Sequence, residues 1–322
     1  MIWPENFGRH IKGKGCILVR LFTHAECSLH ITPPGHPERV DRLSAIEKVL
    51  EGLTLDRCDC PMGQEADVLN CHPASYLARV KAAVPADGWA QLDGDTFLSP
   101  SSFLAAMRAV GGACAAVDAV ITQGGRAFVA ARPPGHHAER ATAMGFCLFG
   151  TVAIAAMHAL QVHGLTRVAV LDFDVHHGNG TQDLLWDEPR VRFISSHQMP
   201  LYPGTGSTNE CGAHGQITNL PLAAGSGGAA MRAAWAPAIA NLAQWAPDLV
   251  LVSAGFDAHE HDPLAGLNWQ TQDFVWITRA ICDLADQTCA GRVVSCLEGG
   301  YDLQALAASV MAHVEELGRV IR

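Results

Sequence analysis

The feature that most constrains the fold is a repeated alternation of short apolar runs with longer helical stretches. The runs are apolar throughout and rich in β-branched residues, which is typical of strands buried on both faces of a parallel sheet. Six strands are predicted in this way, at residues 16–22, 126–130, 167–172, 191–195, 248–253 and 292–297. Seven helices are predicted around them, at residues 37–53, 73–83, 100–122, 147–163, 228–244, 271–288 and 303–320. The alternation predicts an α/β fold with one parallel sheet flanked by helices on both faces.

The same pattern predicts how the chain is divided into domains. Neither an internal repeat nor a low-complexity linker interrupts it, so we expect one domain over residues 16–322. Hydrophobic residues make up 49% of the chain and charged residues only 17%, which is sufficient for a large core. Residues 1–15 precede the first predicted strand and are expected to form an N-terminal extension that need not be ordered.

Charge and cysteine content exclude several classes of function. The formal net charge is -10, so nucleic-acid binding is not expected, because phosphate neutralisation requires clustered Lys and Arg. We find neither an apolar stretch long enough to span a bilayer nor the apolar core of a signal peptide, and therefore expect a cytoplasmic protein with no membrane partner. The eleven cysteines form no regular framework and are expected to be reduced.

A local cluster of cysteines offers an alternative use for some of these thiols. Cys58, Cys60, Cys71 and His72 lie close in the sequence, as the ligands of a structural zinc ion would. Their spacing matches no standard zinc knuckle, and a single residue separates the first two cysteines. We therefore do not predict a structural zinc site in this segment.

Polar residues follow the predicted strands at the point where each strand ends. Asp172 and Asp174 follow one strand, Ser195 and Ser196 another, and Asp257 a third. In open parallel sheets, ligands bind beyond the carboxyl ends of the strands. The sequence therefore predicts one site, assembled at this edge from distant parts of the chain.

The densest of these segments, residues 171–181, has the composition of a metal site. Asp174 and His176 are two residues apart, so on an extended segment their side chains face the same way. A carboxylate oxygen and an imidazole nitrogen suit zinc or another divalent transition metal, and Asp257 is the natural third ligand. Three protein ligands leave a coordination position open, as in catalytic zinc sites. A single Asp would be interpreted as an ordinary turn residue, but two acids and two histidines within six positions are not.

Two further segments supply groups for proton transfer. His136 and His137 follow a rigid Pro-Pro-Gly turn, and imidazole acts as both base and acid near neutral pH. Each ring needs a partner for its second nitrogen, and Asp172 and Asn179 are available. Tyr301 follows two glycines, where its phenol could donate to an oxyanion, although Gly-Gly-Tyr is also frequent in plain turns.

Taken together, the motifs resemble those of the zinc-dependent histone deacetylase family. The matching segments occur in the family's order, at residues 132–139, 145–147, 172–181, 253–257, 262–264 and 298–301. Residues 35–39 and 42–43 are similar to the N-terminal signature of its class II-like and bacterial amidohydrolase members. The resemblance extends from about residue 22 to the C-terminus. It implies a single arginase/deacetylase-like domain whose central parallel sheet has about eight strands.

The resemblance also implies catalytic roles by position. Asp174, His176 and Asp257 would bind one catalytic Zn²⁺. His137, paired with Asn179, would act first as general base and then as general acid. The resemblance further implies that His136 is held by Asp172 as an electrostatic partner, and that Tyr301 binds the scissile carbonyl.

Further positions would contact the substrate or a structural ion. The resemblance implies a tunnel lined by Gly145 and Phe146, with Tyr202 as a second aromatic wall and Leu264 near its mouth. It also implies a structural K⁺, and the nearest equivalents of its site are Asp172, Asp174, His176, Ser195 and Ser196.

The chain departs from the family pattern at two positions. Asn179 stands where class I members carry Asp; a neutral partner should raise the pKa of His137 less, which favours a free base near neutrality. Gly150 stands where Asn is usual. Tyr301 is retained rather than replaced by the His of weakly active members, so full amide hydrolysis is expected.

We therefore expect a bacterial, zinc-dependent amidohydrolase that removes an acyl group, in the first place acetyl, from an amine such as the lysine side chain.

An alternative is a deacetylase of acetylpolyamines or other small acylamides. Glu26, Asp93 and Asp95 are the acids that could bind the second amine of such a substrate, whereas the apolar Leu264 favours acyl-lysine. An arginase-type ureohydrolase shares the fold but needs two manganese ions and more Asp ligands. A catalytically silent acyl-lysine binding module is the non-enzymatic alternative. Self-association into a homo-oligomer is left open.

Overall fold

Eight parallel strands form the central sheet in the computed structural model, which describes residues 18–319. Their spatial order is β2-β1-β5-β10-β9-β6-β7-β8, and a separate antiparallel pair is formed by β3 and β4. In chain order the strands are β1 (Val19–Thr23), β2 (Asp56–Asp59), β3 (Ala90–Gln91), β4 (Phe97–Leu98), β5 (Arg126–Val129), β6 (Val168–Asp172), β7 (Val191–Gln198), β8 (Ile217–Leu222), β9 (Leu249–Ala254) and β10 (Val293–Leu297). The predicted parallel α/β sheet, with its size, is confirmed.

Two helical layers cover the sheet. In chain order the helices are α1 (Asp41–Leu50), α2 (Glu65–Leu69), α3 (Ala74–Ala82), α4 (Ser102–Gln123), α5 (Thr151–Gln161), α6 (Asn179–Leu184), α7 (Gly228–Trp245), α8 (Thr271–Thr288) and α9 (Leu303–Leu317). Helices α1, α9, α8 and α7 pack against one another in that order, and α4 packs against α5. Every residue of β5, β6, β9 and β10 is buried, as expected for strands covered on both faces.

The short β3 and β4 were not predicted, and the two strands of the central sheet that the sequence did not predict lie at its edges. Strand β2 pairs only with β1, and β8 pairs only with β7. Both contain polar and partly exposed residues, and β8 includes Pro221, so neither reads as a continuous apolar run. The six predicted strands are present, although residues 16 and 17 of the first lie outside the described part of the chain, as does the N-terminal extension.

All seven predicted helices are present: α8 has the predicted ends, and the other six differ from the prediction by one to four residues at one or both ends. The largest shifts are at the N-termini of α1 and α5, which begin at Asp41 and Thr151 rather than at residues 37 and 147. Before α5 the chain makes a tight turn in which Gly145 and Phe146 have positive φ, and Cys147 closes this turn by donating from its amide to the Met144 carbonyl at 3.0 Å, so the helix begins later. Helices α2 and α6 were not predicted because five or six residues are too few to show a helical period.

Helix α4 corrects the expectation that no apolar stretch is long enough to span a bilayer. By length and composition alone, this helix of 22 residues is sufficient. However, 67% of its most apolar window is buried inside the protein, where α4 packs against α5 and the sheet. A core helix of this kind is apolar because its surroundings are protein, so it meets the same criterion as a membrane span.

The cysteines between residues 18 and 319 are all free thiols, in agreement with the expectation that they are reduced. Both ring nitrogens of His72 have hydrogen-bond partners, so His72 is not free to bind a structural zinc ion together with Cys58, Cys60 and Cys71. Its Nε2 accepts from the Gly150 amide at 2.9 Å, and its Nδ1 lies 3.1 Å from the carbonyl oxygen of Arg140.

Strand register determines which polar residues meet at the carboxyl edge. Asp172, the last residue of β6, is paired with Ser195 on β7 and with Ser253 on β9. Leu297, at the end of β10, is paired with Ala254 on β9. The loops that follow β6, β9 and β10 therefore begin side by side.

Candidate active site

Three buried side chains converge where these loops begin. Asp174 and His176 lie in the loop after β6, and Asp257 lies in the loop after the neighbouring strand β9. The His176 Nδ1 atom is 3.1 Å from Asp174 Oδ1 and 3.2 Å from Asp257 Oδ2. One potential ligand atom from each residue lies within 4.8 Å of the other two.

The bonding of these atoms fits a divalent cation. Asp257 Oδ1 accepts from the Val175 amide at 2.9 Å, whereas its Oδ2 is buried without a hydrogen-bond partner. Donor atoms about 2.0–2.2 Å from a shared zinc ion would be roughly 3.3–3.6 Å apart in tetrahedral geometry, slightly more than the separations seen here. Burial opposes a charged imidazole, but Asp174 and Asp257 outweigh it and raise the pKa of His176 to about 10. The three residues are thus arranged around a position that favours positive charge.

Gly299 allows the chain after β10 to approach this cluster. Its backbone N–H donates to Asp174 Oδ2 at 2.9 Å. A Cβ atom at this position would overlap the carboxylate oxygens of both Asp257 and Asp174. The first glycine of the Gly-Gly pair is therefore required by close approach to the candidate ligands rather than by the turn alone.

His136 lies between two carboxylates in the same buried region. Its Nδ1 is 2.9 Å from Asp172 Oδ2, and its Nε2 is 3.8 Å from Asp174 Oδ1. Burial lowers the pKa of His136, but Asp174 and Asp172 outweigh this effect and hold it well above the ordinary value. The Glu298 carboxylate accepts from the amides of Gly135 and His136 at 2.7 and 3.2 Å, which secures the loop that carries both histidines.

His137 is oriented by a chain of side-chain hydrogen bonds. Its Nδ1 lies 2.7 Å from Asn179 Oδ1, and Asn179 Nδ2 donates to Glu139 Oε1 at 2.8 Å. A carboxylate only accepts, so Glu139 fixes which end of the Asn179 amide faces His137. The amide oxygen then accepts from His137 Nδ1–H, which leaves the Nε2 lone pair free. Glu139 lies inside the matched motif but was not predicted as a site residue.

We expect Glu139→Ala to reduce kcat about tenfold, because a hydrogen bond to a charged group typically contributes ~1.5–3 kcal/mol and only part of this acts on the reactive nitrogen. Glu139→Gln, which retains an acceptor, should restore most of the loss. Steady-state kinetics across pH would test this: a merely structural role would leave the pH profile of kcat/KM unchanged.

Aromatic rings surround the approach to His137 and the ligand cluster. The Tyr202 ring meets that of His137 edge-on at 5.2 Å, and the Phe146 ring lies 5.8 Å from that of Tyr301. Phe146 has φ 69°, stabilised by donation from its amide to Thr96 Oγ1 at 3.0 Å. A Cβ atom on Gly145 would overlap the His137 ring. Gly145, Phe146 and Tyr202 therefore lie beside His137 or Tyr301, and the Tyr202 side chain is 38% exposed. That they line a substrate tunnel stays a prediction.

The segment matching the N-terminal signature supports the turn that carries Tyr301. The Arg42 side chain donates to the carbonyls of Gly300 at 2.7 Å and Glu298 at 2.5 Å. Its guanidinium also lies 5.0 Å from the centre of the Tyr301 ring and pairs with buried Glu38 at 3.1 Å. No functional role was predicted for this pair, although the two residues are four apart within the helix predicted at residues 37–53. In the structure Glu38 precedes α1.

Asp262 connects Tyr301 with Leu264, and sequence reasoning did not identify it as a positioning residue. Its Oδ2 accepts from the Tyr301 amide at 2.7 Å, and its Oδ1 accepts from the Leu264 amide at 3.0 Å. Leu264 is half-buried. The predicted gate residue and the predicted carbonyl-binding residue are thus held by one carboxylate.

The three acids that could select a cationic substrate, such as an acetylpolyamine, differ in whether their carboxylates are already bound within the protein. Glu26 pairs with Arg108 at 2.5 Å, so an ion pair within the protein already occupies its carboxylate. Asp93 accepts from the amides of Asp95 and Thr96 at 3.0 and 2.9 Å. Thr96, which follows Asp95, accepts from the Phe146 amide through its hydroxyl at 3.0 Å. Asp93 and Asp95 therefore lie in the loop that contacts Phe146.

The remaining predicted positions lie beside the cluster. Ser195 Oγ is 3.1 Å from His197 Nδ1, and Ser196 Oγ is buried without a hydrogen-bond partner. Potassium binding at these residues, with Asp172, Asp174 and His176, stays a prediction. Gly150 has a steric explanation: a Cβ atom there would overlap the Leu184 side chain, which fills the space that a larger residue would need.

Comparison with known proteins gives a consistent result. The model of the histone deacetylase domain matches residues 36–317. An uncharacterised protein of Synechocystis sp. is 41% identical over 93% of this chain and 99% of its own length. A histone deacetylase-like amidohydrolase of Pseudomonas aeruginosa is 38% identical over 90% of this chain and 80% of its own. The crystal structure of the HDA15 HD domain superposes with a TM-score of 0.88 at 30% identity, covering 94% of this chain and 89% of that one.

Proposed function

The chain belongs to the histone deacetylase family, and from this premise we propose that it is a zinc-dependent amidohydrolase that removes an acetyl or similar acyl group from an amine such as the lysine side chain. One observation carries the proposal. The buried, unpartnered Oδ2 of Asp257 faces His176 Nδ1 at 3.2 Å, in a cluster that His137 adjoins. A buried carboxylate oxygen without a hydrogen-bond partner is costly, and a metal ion held between this oxygen and His176 would balance its charge.

Asp174, His176 and Asp257 would hold the ion as a set of two carboxylates and one imidazole, which suits Zn²⁺. When bound, such an ion polarises an amide carbonyl and lowers the pKa of a water molecule. His137 Nε2, whose lone pair is free because Nδ1–H is committed to Asn179, would accept a proton from the attacking water. His137 then returns the proton to the nitrogen of the departing amine, so that amide and water yield carboxylate and amine.

The other residues stabilise charge and position the substrate. His136, kept cationic by Asp172 and Asp174, offsets the negative charge that develops on the reacting carbonyl. The Tyr301 hydroxyl donates to the same oxygen. Phe146 and Tyr202 exclude water from the acyl chain, and in a drier site each of these electrostatic contacts is stronger.

A hydrolysis assay with metal removal tests the proposed function. We expect the purified protein to release acetate from an acetyl-lysine peptide, to lose activity after chelation, and to regain it with about one equivalent of Zn²⁺ per catalytic site. Chelation without loss of hydrolysis would refute metal dependence. Binding of the peptide without hydrolysis by the zinc-loaded protein would favour the silent binding module.

Two observations favour the proposed amidohydrolase over an arginase-type ureohydrolase and over a silent binding module. An arginase-type reaction needs a second metal ion beside the first, but the ligand group at this edge consists of three residues within the described part of the chain. A silent binding module has no use for a base oriented through Asn179 and Glu139, and both His137 and Tyr301 are retained.

We predict a preference for acyl-lysine over acetylpolyamines. Leu264 is apolar, and Glu26 is occupied by Arg108, so neither supplies a carboxylate for a distant cationic amine. The test compares kcat/KM for an acetyl-lysine peptide and for acetylspermidine. A clear excess for the polyamine would contradict the prediction and would identify Asp93 or Asp95 as the selector, in which case Leu264→Glu should increase that excess.

A further inference from the structure

A second cluster of metal-binding side chains lies between helices α2, α4 and α5. It consists of Asp67 on α2, Cys114 on α4 and His158 on α5, with one ligand atom of each within 4.8 Å of the others. His158 is seven residues beyond Thr151, the first residue of α5. At ~1.5 Å per residue, that places it about 10 Å along the helix from the loop that carries the catalytic histidines. The proposed deacetylase site makes no use of this cluster.

The tautomer of His158 follows from its contact with Asp118. His158 Nε2 lies 2.7 Å from Asp118 Oδ1, and His163 Nε2 lies 2.6 Å from the same oxygen. These are hydrogen-bond distances, too short for two ligands that share a cation between them. Because the carboxylate accepts, Nε2 of neutral His158 carries the proton and Nδ1 has a free lone pair.

That lone pair is directed into the cluster and has no hydrogen-bond partner. His158 is 8% exposed, and its Nδ1 atom is buried and unsatisfied. Asp67 Oδ1 lies 3.7 Å from it, beyond hydrogen-bond range but consistent with two ligands on one ion. The other Asp67 oxygen accepts from the Gln64 amide at the start of α2, so Oδ1 is free. Cys114 contributes the third donor, a buried sulfur.

We propose that Asp67, Cys114 and His158 form a second metal site, which binds one divalent ion of the zinc class. An oxygen, a nitrogen and a sulfur ligand suit a borderline-soft cation rather than Ca²⁺ or Mg²⁺. Asp118 acts as the outer partner of His158, an arrangement in which a carboxylate accepts from one ring nitrogen while the other binds the metal. The ion would connect three helices of one layer and so would be structural.

The protonation of the Cys114 thiol is consistent with a metal site that is occupied only when the metal displaces a proton. Burial raises the pKa of the Cys114 thiol, so the metal-free protein keeps the sulfur protonated. Metal coordination displaces that proton. Asp67, whose side chain is 20% exposed, provides the entry route from solvent.

Cobalt substitution tests the proposal independently of activity. The candidate catalytic ligands are carboxylates and an imidazole, so a sulfur-to-cobalt charge-transfer band in the near ultraviolet would come from a different site that contains a cysteine. We expect the intact chain loaded with Co²⁺ to show this band and to bind two equivalents of metal. Asp257→Asn should lose one equivalent and keep the band, which separates this proposal from the proposed function.

Two variants assign the band. Cys114→Ala should abolish it, whereas the control Cys282→Ala, which removes a buried cysteine from α8, should leave it unchanged.

A third variant tests the outer partner of His158. Asp118→Asn, at a side chain 50% exposed, should weaken Co²⁺ binding at this site ~10–100-fold while the fold is retained. Absence of the band in the intact protein, or its persistence in Cys114→Ala, would overturn the proposal. The first outcome would mean that His158 and its two carboxylates form an ion pair without metal.

Discussion

Asp257→Ala is expected to abolish hydrolysis together with metal binding at the catalytic site. The substitution removes the unpartnered oxygen that faces His176 and one of the two buried carboxylates of the cluster. Lewis-acid polarisation contributes several kcal/mol, and each ~1.4 kcal/mol is tenfold in rate, so the loss should be on the order of 10³-fold or more. Metal content, measured on the same samples as turnover, should fall in parallel.

Two further variants show whether this loss is local. Asp257→Asn keeps the size of the side chain and an oxygen that accepts from the Val175 amide, so it should fold and still lose the metal. Asp87→Ala, at an exposed aspartate, should retain full activity. If either Asp257 variant kept full activity with no metal bound, the assignment of the ligands would be wrong.

His137→Ala is expected to reduce kcat by ~10²–10⁴-fold while the metal stays bound. The residue contacts Asn179 through Nδ1, and no hydrogen bond joins it to the three candidate ligands within the described residues. Burial and the neighbouring His136 and His176 lower the pKa of His137 well below the usual value. Its Nε2 is therefore unprotonated at neutral pH, and the acid limb of kcat/KM should lie below the usual histidine pKa.

Tyr301→Phe offers a comparison for the His137 variant. It removes one donor to the carbonyl oxygen and leaves the proton-transfer residue in place. The loss of one such donor typically costs about 3 kcal/mol, or on the order of 10²-fold in kcat. Its acid limb should match that of the unmodified protein. Near-normal turnover in both His137→Ala and Tyr301→Phe would contradict the proposed mechanism.

Much of the fold could be predicted because its signals are local. A strand buried on both faces is apolar throughout, and a crossover helix repeats its apolar positions every turn, so β6, β9, β10 and α8 were readable from short windows. Strands β2 and β8 were not, because an edge strand is half-exposed and its pairing depends on the neighbouring strand. The polar ends of the central strands also indicated one site, since parallel strands bring their carboxyl ends to one edge.

The sequence by itself thus determined the parallel sheet, the edge that carries the site and the residue types available there. Only the tertiary structure decided which partners those residues take: Glu139 behind Asn179, Asp262 between Tyr301 and Leu264, and Asp67 and Cys114 around His158. The physical reason is that sequence preferences act over a shorter distance along the chain than tertiary contacts do. Periodicity and turn preferences act over a few residues, whereas a hydrogen bond or shared ligand position depends on how separate elements pack, to within a fraction of an ångström.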